Sequence, residues 1–309
     1  MPKITAAVCS YNRAQRLPAL IRALRAQPCA IDYEILIVEN NCTDNTHEVL
    51  LGLQQEPGPA LLMVNEPRQG ISHARNRALE ECLDSDYMLF MDDDELPCDR
   101  LIQTALDTFA TTDALCVGGK VQVDFANLDR PGWLEDNLLG FLAQVDHDQH
   151  LFRIEHKKTP VWTANVAYDM RIFRDNPDLR FDIRYNRAGD GVGGGEDVLM
   201  FEALLKRGIA TYYQPQMSVL HAVDAWKLKR GYFLRLHFVA GKKYGRYEIP
   251  ELQGPVFGAP WFMVWHFFRH SLLALAMLAA NKPGRIRQAM NAAHSLGSIW
   301  GKMTPQEKQ

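Results

Sequence analysis

Residues 87–95 read Tyr87-Met88-Leu89-Phe90-Met91-Asp92-Asp93-Asp94-Glu95. Five largely apolar residues run directly into four carboxylates, a pattern that predicts a strand buried on both faces and ending in acids. In an open α/β sheet, ligands bind beyond the carboxyl ends of such strands. Adjacent acids repel one another, and a hard cation such as Mg²⁺ or Mn²⁺ offsets that repulsion. The run therefore predicts a metal–phosphate site, with a solvated acidic turn as the alternative.

The first hundred residues alternate between two hydrophobic periodicities. Apolar runs typical of strands lie at 4–9, 33–38, 61–64 and 87–91, and helical spacing follows each of the first three. This β-α-β-α-β-α-β order predicts a Rossmann-like α/β fold, with a mostly parallel sheet and helices on both faces. Polar clusters follow each strand, and they should meet at the edge where such sheets bind ligands.

The middle of the chain is less regular. Residues 114–123 and 160–167 have strand-like composition, whereas 136–158 is ambiguous. A glycine-dense loop over 188–195 leads into a helix whose first residues are Glu196 and Asp197. A strand-like segment then ends at His221.

The charge of the chain is unevenly distributed. Overall, its 309 residues carry a formal charge of −3. The region 226–309 contains 13 Lys or Arg against 3 Glu, a charge of +10, so the remainder carries −13. This asymmetry predicts a catalytic domain over 1–225 and a basic, aromatic-rich helical extension over 226–309.

The six cysteines form no Cys-x-x-Cys pair, which predicts reduced thiols and a reducing compartment. The N-terminal residues show no long apolar run, so we expect no signal peptide. Both features predict a cytoplasmic protein.

Five motifs occur along the chain in one order. They are Ser10-Tyr11-Asn12-Arg13, Glu39-Asn40-Asn41-Cys42-Thr43-Asp44, Gly70-Ile71-Ser72-His73-Ala74-Arg75-Asn76, Asp92-Asp93-Asp94, and Glu196-Asp197 followed by His221. Over residues 4–221 the chain thus resembles the inverting family 2 glycosyltransferases of GT-A fold. The resemblance implies a nucleotide-sugar donor, a divalent metal (Mg²⁺ or Mn²⁺), a hydroxyl acceptor on a saccharide or a lipid-linked carrier, and inversion at the anomeric carbon.

The resemblance also implies which residues bind the nucleotide. They are Ser10, Tyr11, Asn12, Arg13, Glu39, Asn41, Arg75, Asp92 and Asp93. Glu39 stands where the family usually has Asp, and its carboxylate would accept the N3–H of a uracil-type base, which favours a UDP-sugar. Glu is one methylene longer, and Asn41-Cys42 replaces the usual Gly-Ser, so the nucleotide stays open.

The matching positions divide the remaining roles. Asp92 and Asp94 match the Asp-x-Asp metal acids, and Asp93 or Glu95 could share metal binding, because four adjacent acids leave the register open. His221 would approach the metal or the diphosphate. Asp197 would be the general base, because a free carboxylate there can take the acceptor proton. Glu196 is the second choice of base, or an acceptor ligand.

The resemblance also assigns Trp162 and Asn165 to the acceptor side. An aromatic face such as that of Trp162 can stack on a sugar. A role for Trp162 in the core is the alternative.

The C-terminal region predicts a separate partner. Residues 261–280 are apolar over the length of a membrane span, but Arg269 lies near the centre, between His266 and His270. This pattern favours a helix lying on the inner face of an anionic membrane over one that crosses it. Packing on the catalytic domain or on a second subunit is the alternative, so a homodimer stays open, whereas nucleic acid is not expected as a partner.

Two other function classes compete with a glycosyltransferase. A nucleotidylyltransferase is expected to carry a glycine-rich, basic loop after its first strand, and residues 10–13 do not form one. A non-catalytic nucleotide-sugar-binding or scaffold protein is expected to lack a metal acid or the base, and both are present.

Overall fold

The computed structural model of the protein describes residues 3–126, 128–187, 191–250 and 259–304. The chain forms two compact units. The first comprises Met1–Ala126, Ala143–Gly189 and Glu196–Val223, and the second comprises Asn127–Leu142, Asp190–Gly195 and Asp224–Gln309. The division after Val223 lies two residues before the predicted boundary, and the second unit also takes two earlier segments of the chain.

The first unit is built on a nine-stranded sheet. Its strands are β1 (Ile4–Ser10), β2 (Tyr33–Glu39), β3 (Leu61–Asn65), β4 (Tyr87–Asp92), β5 (Glu95–Pro97), β6 (Cys116–Asp124), β7 (Phe152–Arg153), β8 (Asn165–Asp169) and β9 (Thr211–Ala222). Their order is β3-β2-β1-β4-β8-β6-β9-β5, with β7 beside β9. The first four strands are parallel to one another, whereas β8 is antiparallel to β4 and β6. The predicted α/β class is confirmed, and the late strands make the sheet mixed.

Helices cover both faces of this sheet. Those of the first unit are α1 (Leu17–Arg25), α2 (Thr46–Gln54), α3 (Ile71–Glu81), α4 (Leu101–Thr111), α5 (Arg171–Asp175) and α6 (Glu196–Lys206). Successive side chains of a strand point to opposite faces. Ile4 and Val8 therefore belong to the core under α1 and α4, whereas Ala7 and Cys9 belong to the core under α3.

The register of the parallel strands positions the polar residues that follow them. Ser10 pairs with Glu39 across β1 and β2, and Cys9 pairs with Asp92 across β1 and β4. The strand ends carrying Ser10, Glu39 and Asp92 are thus neighbours at one edge of the sheet.

The irregular middle was predicted less well than the first hundred residues. The predicted strand at 160–167 begins only at Asn165, and the ambiguous 136–158 segment contains a short 3-10 helix, Asp136–Leu142, and the two-residue strand β7. Residues 188–190 of the predicted glycine-dense loop lie outside the described residues. The next part of that loop has positive φ angles at Gly193 (104°) and Gly195 (112°), which are rare for residues with side chains.

The second unit contains the long helices α7 (Arg230–Tyr247), α8 (Trp261–Ala279) and α9 (Arg285–Met303). Glycines let α7 and α9 meet backbone to backbone. A Cβ added at Gly241 or Gly245 would lie 2.0 Å from a carbonyl oxygen of α9, and one added at Gly297 or Gly301 would lie 2.0 Å from a carbonyl oxygen of α7. We call these four residues the glycine seam.

Substitution in the glycine seam is expected to destabilise the second unit. In Gly245→Ala the new methyl group would collide with the Ser298 carbonyl oxygen at 2.0 Å, and forced repacking of this kind costs about 1–3 kcal/mol. Gly52→Ala in α2 is the matched control, because its added Cβ meets nothing within 4 Å. Urea unfolding should show a lower midpoint for Gly245→Ala alone. Equal midpoints for the two variants would contradict the seam.

A buried histidine in the second unit makes stability depend on pH. His237 donates from Nδ1 to the Phe233 carbonyl at 3.1 Å and packs edge-on against Phe141. Burial, with the nearby Arg287 and His294, lowers the pKa of His237 to about 4. The unfolded chain binds this proton near pH 6.5 and the folded chain does not. The stability contribution is therefore complete above pH 6.5 and is lost as the pH falls from 6.5 to about 4.

We expect this loss to reach on the order of 3 kcal/mol, as the size of the pKa difference implies. His237→Phe should flatten the pH dependence of the urea midpoint between pH 6.5 and 4. His150→Phe is the control, since His150 is an exposed histidine in the first unit. A parallel decline in His237→Phe and the native chain would refute the assignment.

Candidate active site

The acidic run continues past the end of β4 and folds back beside the end of β1. Ser10 Oγ donates to Asp93 Oδ2 at 2.8 Å, and Arg13 Nε lies 4.0 Å from Asp93 Oδ1. Burial and the neighbouring Asp94 carboxylate raise the pKa of Asp93 to about 7. The first predicted nucleotide motif and the acidic run are therefore in direct contact.

The loop after β1 is held by its asparagine. Asn12 has a φ of 52°, in the left-handed region that Asn tolerates better than most residues. Its Oδ1 accepts from the Thr43 N–H at 2.8 Å, which ties this loop to the one after β2. Tyr11 and Arg13, on either side of Asn12, are half-buried.

The loop after β2 carries the predicted base-reading acid. Glu39 is buried, and both of its carboxylate oxygens lie near His47 Nδ1, at 3.0 and 3.2 Å. Asn40 is also buried and bonds the backbone at Glu66, Arg68 and Gly70, so it supports the loop. Asn41 has a φ of 55° and is exposed, and its Nδ2 donates to Gln69.

Arg75, on α3, is the buried cation of the site. Its Nη1 donates to Glu196 Oε1 at 2.7 Å, and its Nη2 donates to Asp92 Oδ1 at 3.2 Å. The guanidinium also lies over the Phe181 ring, 5.7 Å from its centroid. Burial favours the neutral form, but Asp92 and Glu196 outweigh it and raise the pKa of Arg75. One arginine thus joins the first acid of the run to the first acid of α6.

The two acids at the start of α6 lie in different environments. Glu196 is buried, its Oε1 is held by Arg75, and its Oε2 has no hydrogen-bond partner among the described residues. Burial raises the pKa of Glu196, and Arg75 opposes this shift. Asp197 is partly exposed, and its Oδ1 accepts from the Val198 N–H at 2.8 Å. Both acids lie in the first helical turn, where the backbone N–H groups favour negative charge.

The far end of the acidic run contacts His221 on β9. Strand β5 pairs with β9 and places Glu95 opposite His221. His221 Nδ1 lies 3.2 Å from Asp94 Oδ1 and 3.7 Å from Glu95 Oε1. Burial disfavours the charged imidazole, but these carboxylates outweigh it and raise the pKa of His221 to about 10. A protonated His221 therefore offsets part of the acidic charge.

Glu95 is the residue of the acidic run that the sequence left without a role. It is buried, and its Oε2 accepts from the Asp92 N–H at 3.0 Å. Burial raises the pKa of Glu95 to about 8, although His221 opposes the shift. Glu95 thus braces the turn that presents Asp92, Asp93 and Asp94.

The predicted acceptor-side residues are placed differently from each other. Trp162 is half-buried and packs on the core, as its alternative reading predicted. Asn165 has no exposed surface, and its Nδ2 donates to the Lys120 and Met217 carbonyls at 3.0 and 2.8 Å. It joins β6 to β9 and is out of reach of an acceptor, which corrects its predicted role.

Two residues near the site did not stand out in the sequence. Arg16 Nη1 lies 3.9 Å from Asp94 Oδ2. His47 covers the Glu39 carboxylate. Arg16 directly precedes α1, so no helical spacing marks it, and its position beside Asp94 depends on how the loop after β1 folds. No local signal marks His47, because its contact depends on how the loop after β2 folds.

The grouped side chains suit the binding of an anionic, metal-bearing ligand. The carboxylates of the acidic run lie close to four cationic side chains, those of Arg13, Arg16, Arg75 and His221. The partly exposed carboxylate of Asp197 lies at the start of α6. In the described part of the chain, no three His, Cys, Asp or Glu side chains converge closely enough to hold an ion by themselves.

The chain is similar to known proteins of one family. Residues 5–188 match the profile of the family described as Glycosyl transferase family 2. The succinoglycan biosynthesis protein ExoM of Rhizobium meliloti (strain 1021) is 25% identical over 257 residues, which span 80% of this chain and 75% of that protein.

Solved structures share the fold. The mannosyltransferase PcManGT from Pyrobaculum calidifontis, in complex with GDP-Man and Mn²⁺, superposes with a TM-score of 0.63 at 18% identity, covering 97% of this chain and 87% of that one. Staphylococcus aureus TarS 1–349 with UDP gives a TM-score of 0.57 at 13% identity, covering 96% and 90%. The predicted GT-A fold is therefore confirmed.

Proposed function

The chain belongs to glycosyl transferase family 2, and from this premise we propose that it moves a sugar from a nucleotide-diphosphate sugar to a hydroxyl of a saccharide or lipid-linked acceptor, with inversion at the anomeric carbon. The protein is a glycosyltransferase of GT-A fold. The observation that carries the finer proposal is the Arg75 bridge, which holds the donor-side acid Asp92 and the α6 acids in one site.

The nucleotide occupies the edge formed by the ends of β1, β2 and β4. Glu39 lies at the end of β2, where a base that displaces His47 would meet its carboxylate. Residues 10–13 and Asn41 lie on the loops beside it. A UDP-sugar is the favoured donor, because uracil presents a single N3–H to a carboxylate acceptor. The structural relatives bind GDP-Man and UDP, so the fold itself accommodates either base.

The acidic run fits a hard divalent cation. Asp92 and Asp94 offer oxygen ligands, and His221 approaches from β9. Mg²⁺ and similar ions take one or two protein carboxylates and complete their shell with waters and phosphates, which suits a site lacking a ready three-residue cluster among the described residues. When bound, Mg²⁺ or Mn²⁺ would neutralise the departing diphosphate.

Asp197 is the proposed general base. Its carboxylate takes the proton of the acceptor hydroxyl as that oxygen bonds to C1 and the bond from C1 to the diphosphate oxygen breaks. Asp197 suits this role better than Glu196, because it is partly exposed and its carboxylate accepts a local hydrogen bond from the Val198 N–H. Glu196 is held by the permanent charge of Arg75 and positions the start of α6.

The acceptor side is proposed to lie near a membrane. The chain is assigned to the cytoplasm, peripheral on the inner membrane face, with contact through 226–309. The support is the exposed apolar side of α8, the one described helix long and apolar enough to cross a membrane by length and composition.

Removal of a metal acid should abolish metal-dependent donor binding. UDP-, GDP- and dTDP-sugars are screened by thermal shift with and without Mn²⁺, and we expect one UDP-sugar to stabilise the native chain only with metal. At a donor concentration about 100 times Kd, the stabilisation is about 2.7 kcal/mol. Asp94→Asn should lose it, whereas Asp99→Asn, an exposed acid five residues on, should keep it. Stabilisation of Asp94→Asn equal to that of the native chain would remove the metal assignment.

A further inference from the structure

The outward side of α8 is apolar along its whole length. Its residues recur every three or four positions, so they form one stripe along the helix. This outer stripe consists of Trp261, Trp265, Phe268, Leu272, Leu275 and Ala279. Trp261, Trp265 and Leu272 are 64%, 66% and 67% exposed. Fully covering such side chains is strongly favourable, so a stripe of this size indicates an interaction surface.

The opposite side of α8 already has a partner. Met263 and Ala274 are buried, and Gln288 Nε2 on α9 lies 2.8 Å from His270 Nδ1. The short connection between α8 and α9 makes the two helices antiparallel neighbours. The outer stripe is therefore a second apolar side of α8, separate from the side that packs on α9.

The charges around the stripe identify what covers it. Residues 259–304 contain five Lys or Arg and no Asp or Glu. Two copies meeting through this region would bring like charges together, which is unfavourable. Anionic lipid headgroups attract basic residues next to an apolar helix. The charge thus favours a lipid surface over a second copy of the chain.

The placement of aromatic and basic residues fits a helix that lies parallel to a membrane surface. Because α8 and α9 are antiparallel, Trp261 and Trp265 lie at the same end of the pair as Trp300, which is 55% exposed. Lys282, in the turn between the helices, and Arg285, the first residue of α9, lie at the other end. Trp and cationic side chains are the residues that anchor helices at the level of the headgroups.

Polar residues of α8 and α9 disfavour a membrane span. Arg269 lies at the middle of α8, and a charge at the centre of a bilayer is costly. In addition, α9 carries Gln288, Asn291 and His294, so it cannot follow α8 into hydrocarbon without exposing polar groups.

We propose that α8 docks the protein on an anionic bilayer, lying in the interface with the outer stripe inserted and the exposed cations Arg269 and Lys282 on the headgroups. The inference extends the proposed function, because a lipid-linked acceptor would be met at that surface. It does not depend on the sugar, the nucleotide or the metal.

The test is flotation of the full chain with vesicles containing neither donor nor acceptor. We expect binding to vesicles with roughly one-third phosphatidylglycerol and little binding to phosphatidylcholine alone, and raised salt should weaken it. Phe268→Ser with Leu272→Ser should lower partitioning by about tenfold or more, because inserted apolar area is lost. Leu51→Ser with Leu62→Ser is the matched control, since these leucines are 45% and 42% exposed in the first unit.

A second pair of variants tests how much the basic residues contribute to membrane binding. Arg269→Gln with Lys282→Gln should lower binding to anionic vesicles by roughly thirtyfold, because two cations that attract the headgroups are removed. Lys157→Gln with Lys158→Gln removes two exposed cations from the first unit and should leave binding unchanged.

Several outcomes would overturn the proposal. These are no flotation of the native chain, equal flotation of the stripe variant, or association that resists carbonate extraction, which would mean a span. A lipid-free dimer that the stripe variant makes monomeric would assign the stripe to a second copy. Donor hydrolysis measured without vesicles keeps this test separate from the proposed function, since either result can fail while the other holds.

Discussion

Asp197→Asn is expected to abolish sugar transfer while donor binding is retained. Loss of a general base typically lowers kcat by about 10²–10⁴-fold. The amide keeps the size of the side chain and can no longer take the acceptor proton. Because Asp197 is partly exposed and makes a local bond to the Val198 N–H, its replacement should disturb the fold little.

A comparison with Glu196→Gln tests which of the two α6 acids is the general base. Glu196→Gln keeps the shape of the residue that Arg75 holds and removes its charge, so we expect a smaller loss of kcat than in Asp197→Asn. Asp175→Asn, an exposed acid on α5, is the control. Initial rates at saturating acceptor and thermal shifts with donor are measured for all three. A kcat in Asp197→Asn equal to that of the native chain would refute the base assignment.

Arg75→Met should cost both stability and activity. The substitution leaves Glu196, a buried carboxylate, without the cation that compensates it, and breaking such a pair costs about 3–5 kcal/mol. Asp92 loses its partner at 3.2 Å as well. A lower urea midpoint and weaker donor binding are therefore expected together.

A second substitution tests whether the uncompensated charge of Glu196 causes the loss of stability in Arg75→Met. Arg75→Met combined with Glu196→Gln should recover much of the lost stability, because the buried charge is removed with its partner. Recovery of stability without recovery of transfer would show that the bridge also positions the site. Arg77→Met on the same helix is the control, since its pair with Glu81 is partly exposed and a helix pair of this spacing is worth about 0.3–0.5 kcal/mol. Equal midpoints for Arg75→Met and Arg77→Met would contradict the bridge.

The sequence predicted the part of the fold that is built from local patterns. Strands β1 to β4 are continuous apolar runs, and their polar ends could be assigned to one edge before the structure was known. The region around β7 and the 3-10 helix at Asp136–Leu142 could not be assigned, because a two-residue strand has no periodicity and depends on its pairing with β9.

The sequence predicted the members of the site but not the contacts between them. The motifs named Asp92, Arg75 and Glu196 as members of one site, but the bridge between them joins residues 121 positions apart and follows only from how α3 and α6 pack. Asn165 shows the opposite limit. The family resemblance assigned Asn165 to the acceptor side, whereas the structure buries it beside Gly119 and the Met217 carbonyl, where it joins β6 to β9.

The glycine seam has a consequence for how this protein can vary. At the glycine seam, main-chain atoms of α7 and α9 approach each other directly, so its four glycine positions should accept almost no substitution. The outer stripe of α8 takes no part in those contacts, and its residues can change without loosening the helix pair. Affinity for a surface can therefore be tuned on α8 independently of folding, and a saturation library should show the two patterns side by side: intolerance in the seam and graded, fold-neutral change along the stripe.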